Sequence, residues 1–300
     1  MPTKRLLNSI AAHKKTAINM IIGLIAGPIV GVLLNDYIAV TPARLTRLLE
    51  NGDVEGFNNL RAQFKQQISF ERIDLSNKNL SGVNLDSVIL LHSNLFNTNL
   101  EDSSLENAQI SGNLTSINLK NANFPKAHLV GVSLRDGDLT DASLDNATLT
   151  NAEFSGGTLT NAFLTGANLR NADLDNDTLT TARIVNTTLA NASLADADLS
   201  DSYLRNNDLT NANLYDADLS DASLVNTTLA NASLADADLS DEYIVRDNLT
   251  NVDMNLTNLR ETKFDCESVR TVTTNFAVNA NQFHIVEINN GSIKEISSCQ

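Results

Sequence analysis

Nine aspartates recur at a fixed interval of twenty residues in the second half of the sequence. The pattern Asp-x-Asp-x-x-Asp occurs three times, at Asp196, Asp198, Asp201, Asp216, Asp218, Asp221, Asp236, Asp238 and Asp241. If these blocks stack at the ~4.8 Å spacing of strands, neighbouring carboxylates repel by roughly 0.9 kcal/mol even in bulk water. The array therefore favours a cation or a basic partner. The alternative interpretation is that Asp hydrogen-bonds to its own turn backbone, as Asn does elsewhere in the sequence.

The other residues that could act in catalysis or bind a metal form no pattern that predicts a catalytic centre. The four histidines, His13, His92, His128 and His284, lack metal-ligand spacing. The sequence also contains no nucleophile elbow, phosphate-binding loop or dinucleotide fingerprint. We therefore expect a non-enzymatic protein without a cofactor or a dedicated metal site. Calcium, which takes several oxygen ligands, remains an alternative ligand for the nine aspartates.

Composition separates this chain from an ordinary packed domain. Its 300 residues hold 36 acids and 21 bases, a net charge of -15, and only 5% aromatics with no Trp. A direct nucleic-acid partner is disfavoured because phosphate binding requires a basic surface. Since aromatics dominate the burial of most cores, their scarcity predicts a shallow and regular core built from Leu, Ile, Val and Ala.

The elements that position the aspartates are repeats of five residues. A large apolar residue recurs at every fifth position from Leu75 to Ile110 and, after one four-residue step, from Leu114 to Val269. Ala usually lies two residues earlier, and Asn or Asp directly before. Five matches neither the helical period of 3.6 nor the strand period of two. The chain must therefore turn within each unit, with the small and the large apolar residue inside.

The repeated units resemble the pentapeptide-repeat family over Ile73 to Val269, in runs such as Ala-Asn-Leu at 167–169 and Ala-Asp-Leu at 172–174 and 197–199. This resemblance implies an all-β fold, a right-handed quadrilateral β-helix with four units per coil. Some family members are acidic rods that look like duplex DNA and bind DNA gyrase, so the resemblance also implies this alternative function.

The coil length also follows from the sequence itself. Residues 186–204 recur almost unchanged at 226–244, and forty residues make two coils of twenty. About forty units then give about ten coils. The four-residue step predicts a bulge or kink at Gly112, or a change of one corner without a bend. One inward column is expected to become polar toward its end: Ala127, Ala147, Ala167, Thr187, Asn207, Thr227, Asp247 and Glu267. Thr and Asn there are expected to form a hydrogen-bonded ladder, and Asp247 and Glu267 to mark coils that open.

The N-terminal region, residues 1–40, is predicted to hold a single transmembrane anchor. Residues 17–34 are apolar apart from Asn19, and eighteen helical residues span ~27 Å, close to the bilayer core. Basic residues precede this segment, so the C-terminal domain is expected to be periplasmic or otherwise extracytoplasmic. A cleaved signal peptide and a buried or surface-lying helix are the alternatives. Gly23, Gly27 and Gly31 share one helix face, which would allow a homodimer, although Gly is common in membrane helices.

The remaining boundaries follow from composition. Residues 41–69 are predicted to form two short helices, starting at Thr41-Pro42 and Asp53, that cap the first coil of the β-helix, residues 70–270. Residues 271–300 are predicted to form a C-terminal β cap, with strands at 284–288 and 292–296 around Asn289-Asn290-Gly291. Cys266 and Cys299 either pair or remain free thiols.

Together these patterns predict a non-enzymatic, membrane-anchored scaffold. Its acidic β-helix surface would bind a protein partner whose identity the sequence does not give.

Overall fold

A computed structural model describes residues 41–64, 67–271 and the strands at 283–289 and 292–296. The predicted anchor at 17–34, with its three glycines, lies outside these described residues. Within the described ranges, none of the helices has the length and apolar character needed to cross a bilayer.

Two short helices open the described chain. Helix α1 spans Pro42–Glu50 and helix α2 spans Val54–Arg61. The Thr41 hydroxyl accepts a hydrogen bond from a first-turn N–H of α1, and the Asp53 carboxylate does the same for α2, as expected of N-caps.

These helices cover the first coil, as predicted. Leu45, Leu49 and Phe57 are fully buried in the same core as the repeats. Asn58 donates to the Gly82 carbonyl, and Arg61 donates to the carbonyl of Asp86. The apolar end of the repeat stack is therefore closed.

The body is a parallel β-solenoid of about ten coils. Most units pair with the next coil through single bridges between residues twenty apart, such as Asp198 with Asp218. Where pairing is longer, it forms the strands β1 Ser69–Glu71, β2 Ile89–Asn94, β3 Gln109–Asn113, β4 Arg183–Val185, β5 Tyr203–Arg205, β6 Ser223–Val225, β7 Tyr243–Val245 and β8 Thr262–Asp265. Strands β1 to β3 form one sheet, and β4 to β8 lie in a second.

Two inward positions of each unit build the core. The central residues are buried, for example Leu204, Leu209 and Leu214 at 0% exposure. The small residue two positions earlier is buried as well, as at Ala212 and Ala217. The predicted core of stacked Leu and Ala is confirmed, and it explains why the chain needs so few aromatic rings.

The bulge expected at Gly112 is present. The pairing of β2 with β3 shifts register between Leu90 and Ser93, and the following bridges join residues nineteen apart, such as Asn99 and Asn118. Gly112 has φ +131°, and a Cβ there would lie 1.9 Å from the Ser93 carbonyl oxygen. Only glycine permits this close approach, so one shortened coil fits between two regular stacks.

The backbone N–H groups of a regular unit all have hydrogen-bond acceptors, most of them on neighbouring coils. In the unit 197–201, Leu199 and Asp201 donate to the next coil and Asp198 to the previous one. Ala197 donates to the carbonyl of Leu194. The remaining N–H, of Ser200, is bound by the Asp198 carboxylate at 3.0 Å. The last residue of nearly every unit has a left-handed backbone, with φ near +57°, which Asn and Asp tolerate better than most residues.

The predicted polar ladder is present inside the later coils. The Thr187 N–H donates to the Asn207 side chain at 2.9 Å, and the Asn207 amide donates to the Ile184 carbonyl at 2.8 Å. The Thr227 hydroxyl likewise donates to the carbonyl of Leu204. A polar residue is thus accommodated inside when it can donate to the carbonyl 23 residues before it.

The prediction that the column opens at Asp247 and Glu267 is wrong. Asp247 is 1% exposed, and its carboxylate accepts from the Thr227 N–H, so it continues the ladder. Helix α3, Cys266–Thr271, interrupts the repeat. Within it, Glu267 is exposed beside Arg246 at 3.9 Å, and Ser268 instead donates inward to the Ile244 carbonyl. The helix shifts the register, so that Ser268 occupies the inward position.

The two strands predicted near the C-terminus are present. Strand β9, Phe283–Asn289, pairs in parallel with β8, and β10, Ser292–Ile296, pairs antiparallel with β9. The edge of the last coil is thereby covered. Cys266 is disulfide-bonded, and Cys299, the only other cysteine of the chain, lies outside the described residues.

Three carboxyl groups occupy the small inward position and keep one oxygen without a hydrogen-bond partner: Asp177, Glu242 and Asp247. Desolvation by burial raises the pKa of Asp177 and Asp247 to about 8 and that of Glu242 to about 9. These groups are consequently neutral inside the fold at neutral pH.

This neutrality couples folding to pH. Unfolded carboxyls ionise near pH 4, so between that pH and their folded pKa the native state binds more protons than the unfolded state. The stability of the fold therefore falls as pH rises through this window and levels off above it.

We expect Asp247→Asn to stabilise the protein at pH 7, by on the order of 2 kcal/mol. The new amide would donate to the Leu224 carbonyl, in the way that the Asn207 amide donates to the Ile184 carbonyl two coils earlier, and would need no added proton. Thermal unfolding measured at pH 5 and pH 8 should show a smaller pH-dependent change in Tm for the variant than for the wild type. Asp208→Asn, in an outward position, is the matched control. An equal pH response in all three proteins would contradict the prediction.

Candidate interaction face

The nine aspartates come together on three consecutive coils, as predicted, but they occupy one face and both of its edges. We call this surface the acidic face. Asp198, Asp218 and Asp238 pair with one another along the middle of the face. The other six lie at the left-handed corner positions on either side, with φ between +55° and +61°.

The middle column is explained by its own turns. The Asp198 carboxylate accepts from both the N–H and the hydroxyl of Ser200, at 3.0 and 2.7 Å. Asp218 makes the same pair of bonds with Ser220, at 2.9 and 2.6 Å. These contacts confirm the structural interpretation for this column. The serines were missed as partners by the sequence analysis, although the threefold Asp-Leu-Ser pattern signals them.

The two corner columns are not held by this turn hydrogen bond, although Asp236 accepts from the Tyr215 hydroxyl and Asp241 pairs with Arg260. Elsewhere, Asn at a left-handed corner donates its amide to the Asn twenty residues earlier. One such ladder runs unbroken through Asn151, Asn171, Asn191, Asn211, Asn231 and Asn251, with distances of 2.9 to 3.2 Å. An ionised Asp has no donor, so Asp196, Asp216 and Asp236 cannot form this ladder. At these positions the carboxylates replace a stabilising contact with repulsion.

The negative charges of the acidic face lie close enough together to affect a neighbouring side chain. The charges of Asp236, Asp216 and Asp196 raise the pKa of the adjacent Tyr215 phenol. At the end of the array, the Arg260 guanidinium lies 3.4 Å from the Asp241 carboxylate. Among the described residues, the array is thus neutralised at this end alone.

The pKa of the Asp238 carboxyl, in the middle column, is lowered. Desolvation raises the pKa of this carboxyl, but hydrogen bonds from Ser240 and Asn258 and the charge of Arg260 outweigh that effect. Asp238 is therefore firmly ionised near neutral pH and contributes a full negative charge to the face.

The carboxylates of the acidic face are not arranged as a metal-binding site. In the described part of the chain, no group of three or more His, Cys, Asp or Glu side chains is arranged to hold a metal ion. The calcium alternative therefore gains no support from the geometry. What the arrangement offers is a rigid, regularly spaced array of carboxylates for a basic surface.

Similarity to known proteins agrees with this architecture. The chain matches the family model described as pentapeptide repeats in eight copies, at residues 66–102, 113–151, 147–183, 182–221 and 212–241. The unmatched stretch at 103–112 coincides with the shortened coil. The comparison with curated proteins finds no match.

Three solved structures illustrate the likeness. HetL, a pentapeptide-repeat protein involved in heterocyst differentiation regulation in the cyanobacterium Nostoc sp. strain PCC 7120, is 25% identical, with 66% of this chain and 90% of that chain covered and a TM-score of 0.29. QnrB1, a plasmid-mediated fluoroquinolone resistance protein, is 18% identical over 57% and 86%, with a TM-score of 0.36. A thylakoid-lumen protein of Arabidopsis thaliana is 23% identical over 38% and 68%, with a TM-score of 0.16.

The repeat geometry and the family match over more than half of the sequence lead to the same conclusion: the chain belongs to the pentapeptide-repeat family.

Proposed function

We propose that this protein is a non-enzymatic, membrane-anchored scaffold whose acidic face binds a basic surface of a protein partner. The observation that carries the proposal is the pair of Asp columns at the corners of the face. The fold accepts Asn at such corners and gains a hydrogen bond from it, so the fold does not require these carboxylates.

The charge pattern indicates what the partner must supply. Asp196, Asp201, Asp216 and Asp221 have no ion pair with any other described residue. A basic partner would meet charges whose backbone positions are fixed by the coil spacing, so no backbone ordering is required on binding. Electrostatic complementarity of this kind raises the association rate and the specificity more than it raises the affinity.

Replacing Asp196, Asp216 and Asp236 by Asn tests this proposal. The triple variant should melt at a higher temperature than the wild type, because the new asparagines can form the corner ladder. At the same time the triple variant should bind the partner more weakly. Proteins that cross-link to the wild type in cells should be recovered with the variant at one tenth of that amount or less, which corresponds to a loss of about 1.4 kcal/mol in binding free energy. Mass spectrometry of the cross-linked species measures the loss.

A charge-relocated variant serves as the control. Adding Asn191→Asp, Asn211→Asp and Asn231→Asp to the triple variant restores the net charge on another corner. If this variant recovers the partner, net charge alone drives the interaction and the proposed face is wrong. Retention of the same cross-linked proteins by the triple variant would contradict the proposal directly.

The acidic face also supports the second candidate that the family resemblance implied, binding of DNA gyrase by an acidic rod. The specific observation is the same regular array of carboxylates on three coils. In a supercoiling assay, the full chain should then inhibit gyrase, and the triple Asp→Asn variant should inhibit at least tenfold less. Undiminished supercoiling in the presence of excess wild-type chain would exclude this candidate.

The membrane anchor is the third part of the proposal, supported by the apolar sequence at 17–34 and the basic residues before it. Full-length wild-type protein should stay in the membrane pellet after alkaline extraction, whereas Ile25→Lys should move most of it into the supernatant, since a charge at the centre of a span is costly. Thr150→Lys, on the repeats, should stay in the pellet. Extraction of the wild type would show that the segment is not a retained anchor.

A further inference from the structure

The longer strands β4 to β6 create a face that differs from the acidic one. Along it, Phe163, Arg183, Tyr203 and Ser223 stand in register on successive coils. A second column, beside the first, places Arg205 between Val185 and Val225. Two guanidinium groups are therefore set among aromatic and aliphatic side chains on a flat parallel sheet.

These side chains form a groove open to solvent. The groove encloses about 720 Å³, and its lining includes Phe163, Arg183, Val185, Tyr203 and Arg205. Phe163 is 44% exposed and Tyr203 is 61% exposed. Rings this exposed are expensive to leave in water, and exposed aromatics together with Arg are the residues most enriched where binding energy concentrates.

The two arginines of the groove have no acidic partner in the described part of the chain. Arg135, Arg246 and Arg260 each lie within 4 Å of a carboxylate. Among the described residues, Arg183 and Arg205 form no ion pair. Both side chains are exposed, so their donors can meet an external acceptor. A guanidinium binds a carboxylate through two parallel hydrogen bonds.

We propose that this groove binds an acidic peptide segment, with carboxylates on Arg183 and Arg205 and an aromatic or aliphatic side chain beside Phe163 and Tyr203. The occupant is set by charge complementarity, because the groove brings two arginines without an ion pair to any described residue together with two exposed rings. Its chemistry is opposite to that of the acidic face, so this inference does not depend on the function proposed above.

The rim of the groove distinguishes a peptide from a nucleic acid. Asp141 lies in the lining, and its corner column continues through Asn161 and Thr181, also in the lining, to Asp201 and Asp221 on later coils. A polyphosphate strand along the groove would run beside carboxylates at three of these five corners. A short peptide needs only two acceptors, placed over the arginines, and can present neutral or donor groups to the rim.

The test uses display of random twelve-residue peptides against the purified full chain, with counter-selection against an Arg183→Gln/Arg205→Gln variant. Peptides that survive should be enriched in Asp or Glu next to an aromatic or aliphatic residue. By fluorescence polarisation, they should bind the double variant at least tenfold more weakly than the wild type. Tyr203→Ser, which copies Ser223 in the same column, should weaken binding by several-fold. Arg170→Gln, an exposed arginine on another face, should change it less than twofold.

Melting curves of each variant show whether the fold is retained. The conservative Arg183→Lys variant keeps the positive charge but cannot form the bidentate contact, so its affinity for the peptides reports on that contact. A labelled twenty-nucleotide oligothymidine is measured in parallel. The proposal is overturned if no peptide survives counter-selection, if the survivors carry no excess of acidic residues, or if oligothymidine binds the wild type more tightly than they do.

Discussion

The hydrogen bonds between one coil and the next are the interaction on which this structure depends. A chain that turns every five residues leaves N–H groups that no helix or hairpin can satisfy, and an unpaired buried donor costs free energy comparable to a lost hydrogen bond. Here the central residue and the corner residue donate forward along the stack, and the residue before the centre donates backward. This arrangement requires a left-handed residue at almost every corner, which explains the Asn and Asp that fill those positions.

The same constraint decides which side chains fit inside. The small inward position lies beside a carbonyl of the previous coil, so Ala fits by size and Thr or Asn fits by donating to that carbonyl. A carboxylate has no donor unless it is protonated. Asp247 and Glu242 therefore make the last coils sensitive to pH through the interior rather than through surface charge, while the helical cap at the other end brings no such group inside.

Much of this architecture could be predicted from the sequence because period and phase are properties of the chain alone. The five-residue spacing gave the inward positions, the single four-residue step located Gly112, and Thr41 and Asp53 located the cap helices. Helix α3 could not be predicted, because the residue types from Cys266 onward still fit the five-residue repeat although their backbone is helical. The helix also moves Glu267 to the surface. The groove at Arg183 was missed for another reason: its members are twenty residues apart and differ in type, so no repeated motif marks them.

A solenoid of this kind separates the requirements of folding from those of binding. The central and the small residue carry the core, and the residue before the centre is partly committed to its own turn, as Asp198 is to Ser200. The outward positions that remain are free to vary from coil to coil. Along one edge they exchange an amide ladder for carboxylates at Asp196, Asp216 and Asp236, and on the neighbouring face they set Arg183 among exposed rings. Neither choice improves the packing of the coils, and for this reason we propose both surfaces as binding sites.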